Sequence, residues 1–286
     1  MTNEAIYGNM GSEKTHEFLR RIIMWRNSGS IPQPVVFRIA GDRQLRPGEP
    51  VDVVTSRTGL SYPAKRVWDA DEAIAYININ SPPGQRRVFG IPDIHLYGTK
   101  GAKFISLAEE NQKDPDRLII VEGLDKDYTG KLFEFGNSEK TVFGLYGYCV
   151  STHMIGKCFY TNQDGKKCMK DALFSLRLVN GMPCPTNLPD IPLISPGSEL
   201  PNGILYKGAD IFQNWLGVCD KHHVVGSADE IAEQVIKQNL NFPQPIEGLE
   251  SLVGATDLRF FKKRCSIWLP NDDFLAASYA KTQHPA

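Results

Sequence analysis

A proline-rich stretch constrains the fold of this chain more than any other feature of its sequence. Six prolines fall within residues 183–201. Proline has no backbone N–H and fixes φ near about −65°, so such a stretch cannot pair regularly in a sheet or continue a helix. The sequence therefore predicts an extended surface crossing here, with regular elements on both sides of it.

The spacing of apolar residues predicts both helices and strands around this crossing. Ser12 is a candidate cap for the first helix, and Asp69 with Glu72 forms a capping box for the second. We expect helices near 12–27, 69–77, 166–178, 209–217 and 227–239, strands over 35–39, 103–107, 117–122, 251–254 and 264–269, and a hairpin of 131–135 with 141–150. The fold class that follows is α+β, with mixed antiparallel-rich sheets and flanking helices. Charge is evenly spread, which predicts a single domain over 1–286 with a helical insertion at about 155–245.

Composition excludes several classes of protein. The chain has 286 residues, with 32 Lys and Arg against 33 Asp and Glu, so its formal net charge of −1 gives no general attraction to nucleic acid or anionic lipid. It contains no apolar run long enough to cross a membrane. Residues 1–10 do not resemble a cleavable signal peptide, and six cysteines without one indicate reduced thiols in a cytoplasm.

One short strand ends in an arginine. The apolar segment 35–39 contains Arg38, and a polar loop with Arg43 and Arg46 follows it. Because the planar guanidinium matches phosphate oxygens two at a time, these arginines are candidates to clamp a pyrophosphate. The alternative is an ordinary edge-strand arginine with solvated neighbours.

Three segments carry a resemblance to a known family. The first joins Phe37-Arg38 to the loop from Asp42-Arg43 to Pro47, and the second is Phe104-Ile105-Ser106 with the apolar run 118–121 after it. The third is Glu247-Gly248-Leu249-Glu250. In this order they resemble the mono-ADP-ribosyltransferase toxins and effectors of the arginine–serine–glutamate type. Val150-Ser151-Thr152 is a rival for the serine motif.

The resemblance implies an ADP-ribosyltransferase-like core that moves ADP-ribose from NAD, its substrate, to a side chain of a target protein. It assigns Arg38 and Arg43 to the diphosphate, Ser106 to the nicotinamide ribose, and Glu250 to the oxocarbenium-like ribose. Glu247 would activate or position the acceptor side chain. Ubiquitin, actin and GTPases are targets in the family. The protein would then be a secreted bacterial effector or toxin without a cleavable signal peptide, acting in a host cytoplasm, with a cytoplasmic location as the alternative.

Two other classes of function remain open. The proline-rich crossing 183–201 could be the recognition strip of a non-catalytic interaction module. A cysteine paired in space with His153, His222 or His223 could serve a thiol-dependent hydrolase or transferase. Zinc also accepts cysteine and histidine ligands, and Cys149, Cys158, Cys168 and Cys184 and the segment 219–223 offer them. The first four cysteines lack the close pairs typical of structural zinc sites, which favours ordinary thiols and no metal and leaves a zinc site as the alternative.

The sequence lacks the usual fingerprints of nucleotide-phosphate binding. There is no Gly-x-Gly-x-x-Gly pattern and no Gly-Lys-Ser/Thr element. The sequence therefore predicts neither a phosphate loop nor a Rossmann turn.

Overall fold

The computed structural model describes residues 2–40, 52–136, 138, 140–162, 164–179, 182–183, 186, 213–238 and 240. The chain divides into two compact units, Met1–Gly156 and Lys157–Ala286. The strands predicted over 251–254 and 264–269 and most of the proline-rich crossing lie outside the described residues. The prediction of a single domain over 1–286 stays a prediction.

A seven-stranded sheet in the order β3-β4-β2-β5-β6-β1-β7 forms the centre of the first unit. Its strands are β1 (Glu4–Gly8), β2 (Val35–Ile39), β3 (Val53–Thr55), β4 (Ser61–Val67), β5 (Arg87–Ile91), β6 (Arg117–Gly123) and β7 (Val150–Met154). Every neighbouring pair is parallel except β3 with β4. The predicted mixture of helices and strands is thus confirmed, while the antiparallel-rich sheet is wrong for this unit. Parallel strands require crossovers, and helices supply most of them.

Helices cover both faces of this sheet. They are α1 (Lys14–Asn27), α2 (Ala70–Ile79), α3 (Lys103–Asn111) and the short α4 (Val142–Tyr146), with a 3-10 segment over Ile94–Ala102. α1 contributes Phe18, Leu19 and Ile22 to a core with Ile6 and Ile120 on one face. The alternate strand positions face a second core formed with α2 and α3. Among the described residues, no helix combines the length and apolarity that crossing a membrane requires.

In this unit, the predicted elements with clear start and stop signals are confirmed, and those without such signals are not fully confirmed. The helices near 12–27 and 69–77 and the strands over 35–39 and 117–122 are confirmed. The strand predicted over 103–107 is wrong, since it is the first turn and a half of α3, and a short apolar run cannot separate strand from helix. The hairpin predicted for 131–135 with 141–150 is confirmed only next to its turn, where Glu134 and Thr141 form an antiparallel bridge, and Val142–Tyr146 is helix α4 instead of a strand. Thr141 caps α4 there by accepting a hydrogen bond from the Gly144 N–H at 3.0 Å.

The described part of the second unit is mainly β. Short strands β8 (Gly156–Lys157) and β9 (Asp171–Ala172) pair, and β10 (Phe174–Val179) lies between β11 (Met182–Pro183) and β12 (Gln213–Val218) in an antiparallel sheet. α5 (Ala228–Lys237) follows, and Ile231 joins a core that includes Leu176 and Val218. The helix near 227–239 is thus confirmed. The helices predicted over 166–178 and 209–217 are wrong, because cross-strand pairing of β10 with β12 overrides their local pattern.

Candidate functional site

The connection between β1 and α1 has the form of a phosphate loop. It reads Gly8-Asn9-Met10-Gly11-Ser12-Glu13-Lys14-Thr15 and runs from the end of a strand into a helix. This matches the pattern Gly-x-x-x-x-Gly-Lys-Ser/Thr at every fixed position except one, where Glu13 stands in place of glycine. The Gly-Lys-Ser/Thr element itself is absent, because Glu13 precedes Lys14, and a search that requires a Gly-Lys pair does not find this segment.

The backbone of the loop has positive φ angles at three positions. Gly8, Gly11 and Glu13 have φ values of 151°, 78° and 63°. A Cβ on Gly8 would lie 2.1 Å from the Met154 carbonyl oxygen, so this first position requires glycine. Glu13 holds a left-handed conformation that costs a non-glycine residue about 1–3 kcal/mol. Such backbone strain concentrates at functional sites.

Lys14 lies over this loop and is 7% exposed. Its Nζ donates a hydrogen bond to the Asn9 carbonyl oxygen at 2.9 Å, and the Ser12 hydroxyl donates to the same oxygen at 2.9 Å. The N–H groups in the first turn of a helix have no intrahelical acceptor. A cation beside the positive end of α1 makes this loop a site for an anion, above all for phosphate.

Two carboxylates border the loop, because the carboxyl ends of parallel strands meet at one edge of a sheet. Glu122, near the end of β6, is 1% exposed, and its Oε1 lies 3.9 Å from Lys14 Nζ. Its Oε2 accepts a hydrogen bond from the Asp93 N–H at 3.2 Å, and the Thr15 side chain also hydrogen-bonds it. Asp93 comes two residues after β5, with a left-handed φ of 48°. Carboxylates beside a hydroxyl are ligands that Mg²⁺ accepts.

Burial and charge act against each other at this edge. Burial lowers the pKa of Lys14, while the carboxylates of Glu122 and Asp93 oppose that shift. Burial likewise raises the pKa of Glu122, against the attraction of the Lys14 ammonium. Breaking a buried pair of this kind leaves an uncompensated charge, so each partner depends on the other.

Aromatic rings line the site beside Glu122. A Cβ on the next residue, Gly123, would lie 3.1 Å from the Tyr146 hydroxyl and 3.2 Å from His95 Nδ1. Burial lowers the pKa of His95 to about 3, so its ring is neutral, and its Nδ1 accepts a hydrogen bond from the Leu124 N–H at 3.3 Å. The Phe133 ring lies 5.0 Å from the His95 ring. Tyr146 in turn stacks on another ring, that of Tyr7, at 4.9 Å.

The structure describes only some of the site residues singled out from the sequence, and none of these is in the β1–α1 loop. Arg38 is in β2, where its guanidinium donates to the Val53 carbonyl. Ser106 is exposed on α3, and its rival Ser151 is in β7, donating to the Tyr146 carbonyl at 2.9 Å. Arg43, Glu247 and Glu250 lie outside the described residues. Their assigned roles stay predictions at the level of the residues.

The second unit contains a cluster of potential metal ligands. The ligand atoms of Cys158, Cys168, Cys219 and His222 all lie within 4.8 Å of one another. Nδ1 of His222 is 3.3 Å from the sulfurs of Cys158 and Cys219, and the sulfurs of Cys168 and Cys219 are 3.8 Å apart. A tetrahedral zinc ion with ordinary Zn–S and Zn–N bonds separates its ligands by roughly 3.5–3.8 Å. The four side chains therefore fit zinc, and a set of four protein ligands is typical of a structural site.

The ligands of this cluster come from separate elements, so the cluster is hard to recognise from the spacing of its cysteines in the sequence. Cys158 follows β8, Cys219 follows β12, and His222 is in the 3-10 turn Asp220–His222. The Tyr160 ring stacks on the His222 ring at 3.9 Å. Burial raises the pKa of the Cys158 thiol to about 12, and a bound cation would lower it. Cys219 and His222 are three residues apart in the sequence, whereas Cys158 and Cys168 join them only in the tertiary structure.

Comparison with known proteins finds thymidine kinases that are similar to this chain over more than half of its length. No family model matches the chain. A thymidine kinase of Ureaplasma parvum serovar 3 is 29% identical over 164 residues, which cover 54% of this chain and 68% of the relative. A thymidine kinase of Ureaplasma urealyticum serovar 10 is 27% identical over 179 residues, covering 62% of this chain and 70% of the relative.

These relatives overturn the functional predictions made from the sequence. They are named as kinases of a nucleoside, which contradicts the ADP-ribosyltransferase resemblance, NAD as substrate and a protein as acceptor. The toxin, effector and secretion predictions rested on that resemblance and lose their support with it. The interaction module and the thiol-dependent enzyme do not match the relatives either. The resemblance failed because it depended on three short polar segments, whereas the similarity to the kinases extends over half of the chain.

Proposed function

We propose that this chain is a nucleoside kinase that transfers the γ-phosphate of ATP to a hydroxyl of a deoxynucleoside, thymidine being the first candidate. The observation that carries the proposal is the β1–α1 loop, in which buried Lys14 lies between a strand end and a helix start beside two carboxylates. The names of the relatives supply the substrate class.

The loop residues would bind the triphosphate. Lys14 would exchange the Asn9 carbonyl for the β- and γ-phosphate oxygens, and the backbone N–H groups at the start of α1 would hold the same oxygens. Arg57 carries a further positive charge close enough to lower the pKa of Lys14. These positive charges would oppose the negative charge that spreads over the γ-phosphate oxygens during transfer.

The two carboxylates would have different roles, one in binding Mg²⁺ and the other in accepting a proton. The Mg²⁺ that accompanies ATP would be held by the Thr15 hydroxyl together with Glu122, whose side chain already hydrogen-bonds Thr15. Asp93 would accept the proton of the nucleoside hydroxyl as its oxygen bonds to the γ-phosphorus and the bond to the β-phosphate oxygen breaks. Asp93 suits this role because it is less buried than Glu122.

The aromatic side chains would receive the nucleobase. A flat ring stacks well on the faces of aromatic side chains, and His95 with Phe133 presents such faces next to Glu122. The neutral state of His95 avoids placing another positive charge beside Lys14. In the second unit, we propose that Cys158, Cys168, Cys219 and His222 hold a structural zinc ion.

The direct test is phosphorylation of thymidine by the purified chain with Mg·ATP, followed by chromatography of the products. We expect thymidine monophosphate and ADP in equal amounts. Lys14→Ala should lower kcat/KM by at least about a hundredfold, because a charge used in the transition state is lost. Lys113→Ala, at an exposed lysine on the same unit, is the matched control and should leave kcat/KM unchanged.

Two outcomes would contradict the proposal. One is ATP-dependent product formation that persists in Lys14→Ala at the wild-type rate. The other is an absence of product with every natural deoxynucleoside tested, while the protein melts cooperatively and therefore is folded.

A further inference from the structure

The hydrogen bond at Nδ1 of His95 determines which of its ring nitrogens carries the proton. Nδ1 accepts from the Leu124 N–H at 3.3 Å. A backbone N–H can only donate, and a protonated imidazole ring has no nitrogen that accepts. The His95 ring is therefore neutral, with its proton on Nε2. Burial, which lowers the pKa of this ring to about 3, favours the same uncharged state.

The contacts around His95 also fix the orientation of its ring. The Phe133 ring lies 5.0 Å away, and a flip of the imidazole would place a carbon against the Leu124 N–H and lose that hydrogen bond. The Leu124 carbonyl is occupied as well, since it accepts from the Tyr146 hydroxyl at 3.4 Å. Both backbone polar groups of Leu124 thus bind side chains that line the site.

The Nε2–H group of His95 is a donor at the edge of the candidate site. Within the described part of the chain, it has no hydrogen-bond acceptor, and the ring is only partly buried. Two observations place the ring beside the phosphate loop. A Cβ on Gly123, directly after Glu122, would lie 3.2 Å from His95 Nδ1, and the charge of Lys14 adds to the lowering of the His95 pKa. Because Nδ1 binds Leu124, Nε2–H points away from Leu124 and can donate to a ligand.

We propose that the Nε2–H of His95 makes the site selective for nucleobases that present a carbonyl oxygen to it, thymine and uracil, against cytosine, which presents an amino group. This inference rests on the proposed function, since it presumes that a nucleobase binds beside His95 and Phe133. It goes beyond that function by naming the group that selects the base.

The selectivity follows from the fixed tautomer. The Nε2–H would donate to the O4 carbonyl of thymine or uracil, whereas the N4 amino group of cytosine would bring a second donor against it. A free imidazole could move its proton to Nδ1 and accept from that amino group. His95 cannot do so, because Nδ1–H would then oppose the Leu124 N–H. A site with a fixed donor rejects the wrong polar group because one buried group is left unpaired.

The test compares kcat/KM for thymidine, deoxyuridine and deoxycytidine at saturating Mg·ATP in the full chain and in two variants. His95→Phe keeps a flat ring against Phe133 and removes the donor. We expect it to reduce the preference for both thymidine and deoxyuridine over deoxycytidine by at least about tenfold. His95→Gln should retain most of the preference, because its amide oxygen can accept from the Leu124 N–H while its NH₂ group donates to the base.

A control and a binding measurement accompany these variants. His153→Phe changes an exposed histidine in β7 whose ring stacks on Tyr7, and it should leave the preference unchanged. Calorimetry of the same three nucleosides without ATP measures the preference independently of phosphate transfer. We expect wild type to bind thymidine at least about tenfold more tightly than deoxycytidine.

Three outcomes would overturn the proposal. The first is wild type that binds deoxycytidine as tightly as thymidine, a result that needs no variant to fold. The second is an equal loss of kcat/KM for all three nucleosides in His95→Phe, since the ring would then only shape the site. The third is an unchanged preference in that variant. Failure of the proposed function looks different, because wild type would then bind thymidine in preference to deoxycytidine and form no thymidine monophosphate.

Discussion

The two candidate sites of this chain are built in opposite ways. The phosphate loop is one contiguous segment, residues 8–15, whose shape depends on backbone angles between a strand and a helix. The cysteine–histidine cluster draws four side chains from positions 158 to 222, which short strands bring together. The first site was concealed by one substitution in a local pattern. The second was concealed because only Cys219 and His222 are close in the sequence, and the other two ligands come from distant positions.

This difference predicts where each site is vulnerable. A loop defined by its backbone should fail when a Cβ or a charge enters it. A cluster defined by its side chains should fail when any ligand is lost, because the remaining three cannot complete a tetrahedron around zinc.

The largest effect on stability should come from the cluster. Cys219→Ser removes a buried ligand and should lower the free energy of unfolding by about 3 kcal/mol or more, since zinc binding is coupled to folding. Metal analysis should find one zinc per wild-type chain and none in the variant. Acid should release the metal because the thiols must be deprotonated to bind it. Cys149→Ser is the matched control, at a partly buried cysteine outside the cluster, and should retain zinc. The zinc site would be refuted if wild-type protein that was expressed with added zinc contained no zinc.

The next largest effect should come from the loop backbone. Gly8→Ala brings a Cβ to within 2.1 Å of the Met154 carbonyl at a φ of 151°, which should cost about 3 kcal/mol of unfolding free energy. Urea titration measures the loss. Gly59→Ala has a φ of 88° and nothing within 4 Å, so it should cost only about 1 kcal/mol. Equal losses in the two variants would show that conformation alone, without the contact to Met154, determines the cost.

The smallest effect should come from a local feature that the sequence does reveal. Asp69 caps α2 by accepting from the Glu72 N–H at 3.1 Å and also pairs with Lys100. Asp69→Ala should cost about 1 kcal/mol. Asp69→Asn keeps a capping oxygen and should cost only a few tenths, because the ion pair is largely exposed. Thermal melts compare the two variants. If Asp69→Asn loses as much stability as Asp69→Ala, the ion pair with Lys100 and not the cap provides the stability.

Sequence reasoning succeeded where local chemistry determines structure. The helix over 69–77 was found from Asp69 and Glu72, and the strand over 35–39 from its apolar residues between prolines and a polar loop. It failed at 103–107, where a short apolar run that could be strand or helix is a helix, and at 166–178, where pairing across a sheet decides. The site was missed for a different reason. Lys14, Thr15 and the carboxylates after β5 and β6 were all readable, yet the single mismatch at Glu13 removed the pattern that connects them.

The hydrogen bond from Lys14 to the Asn9 carbonyl bears on how the loop would release a ligand. Because the Asn9 carbonyl oxygen already accepts from the Lys14 ammonium, an anion that binds here has to replace an existing partner. If the loop binds a triphosphate as proposed, the same carbonyl would accept from the ammonium again when the product departs. We therefore expect fast nucleotide exchange, at the expense of tight binding.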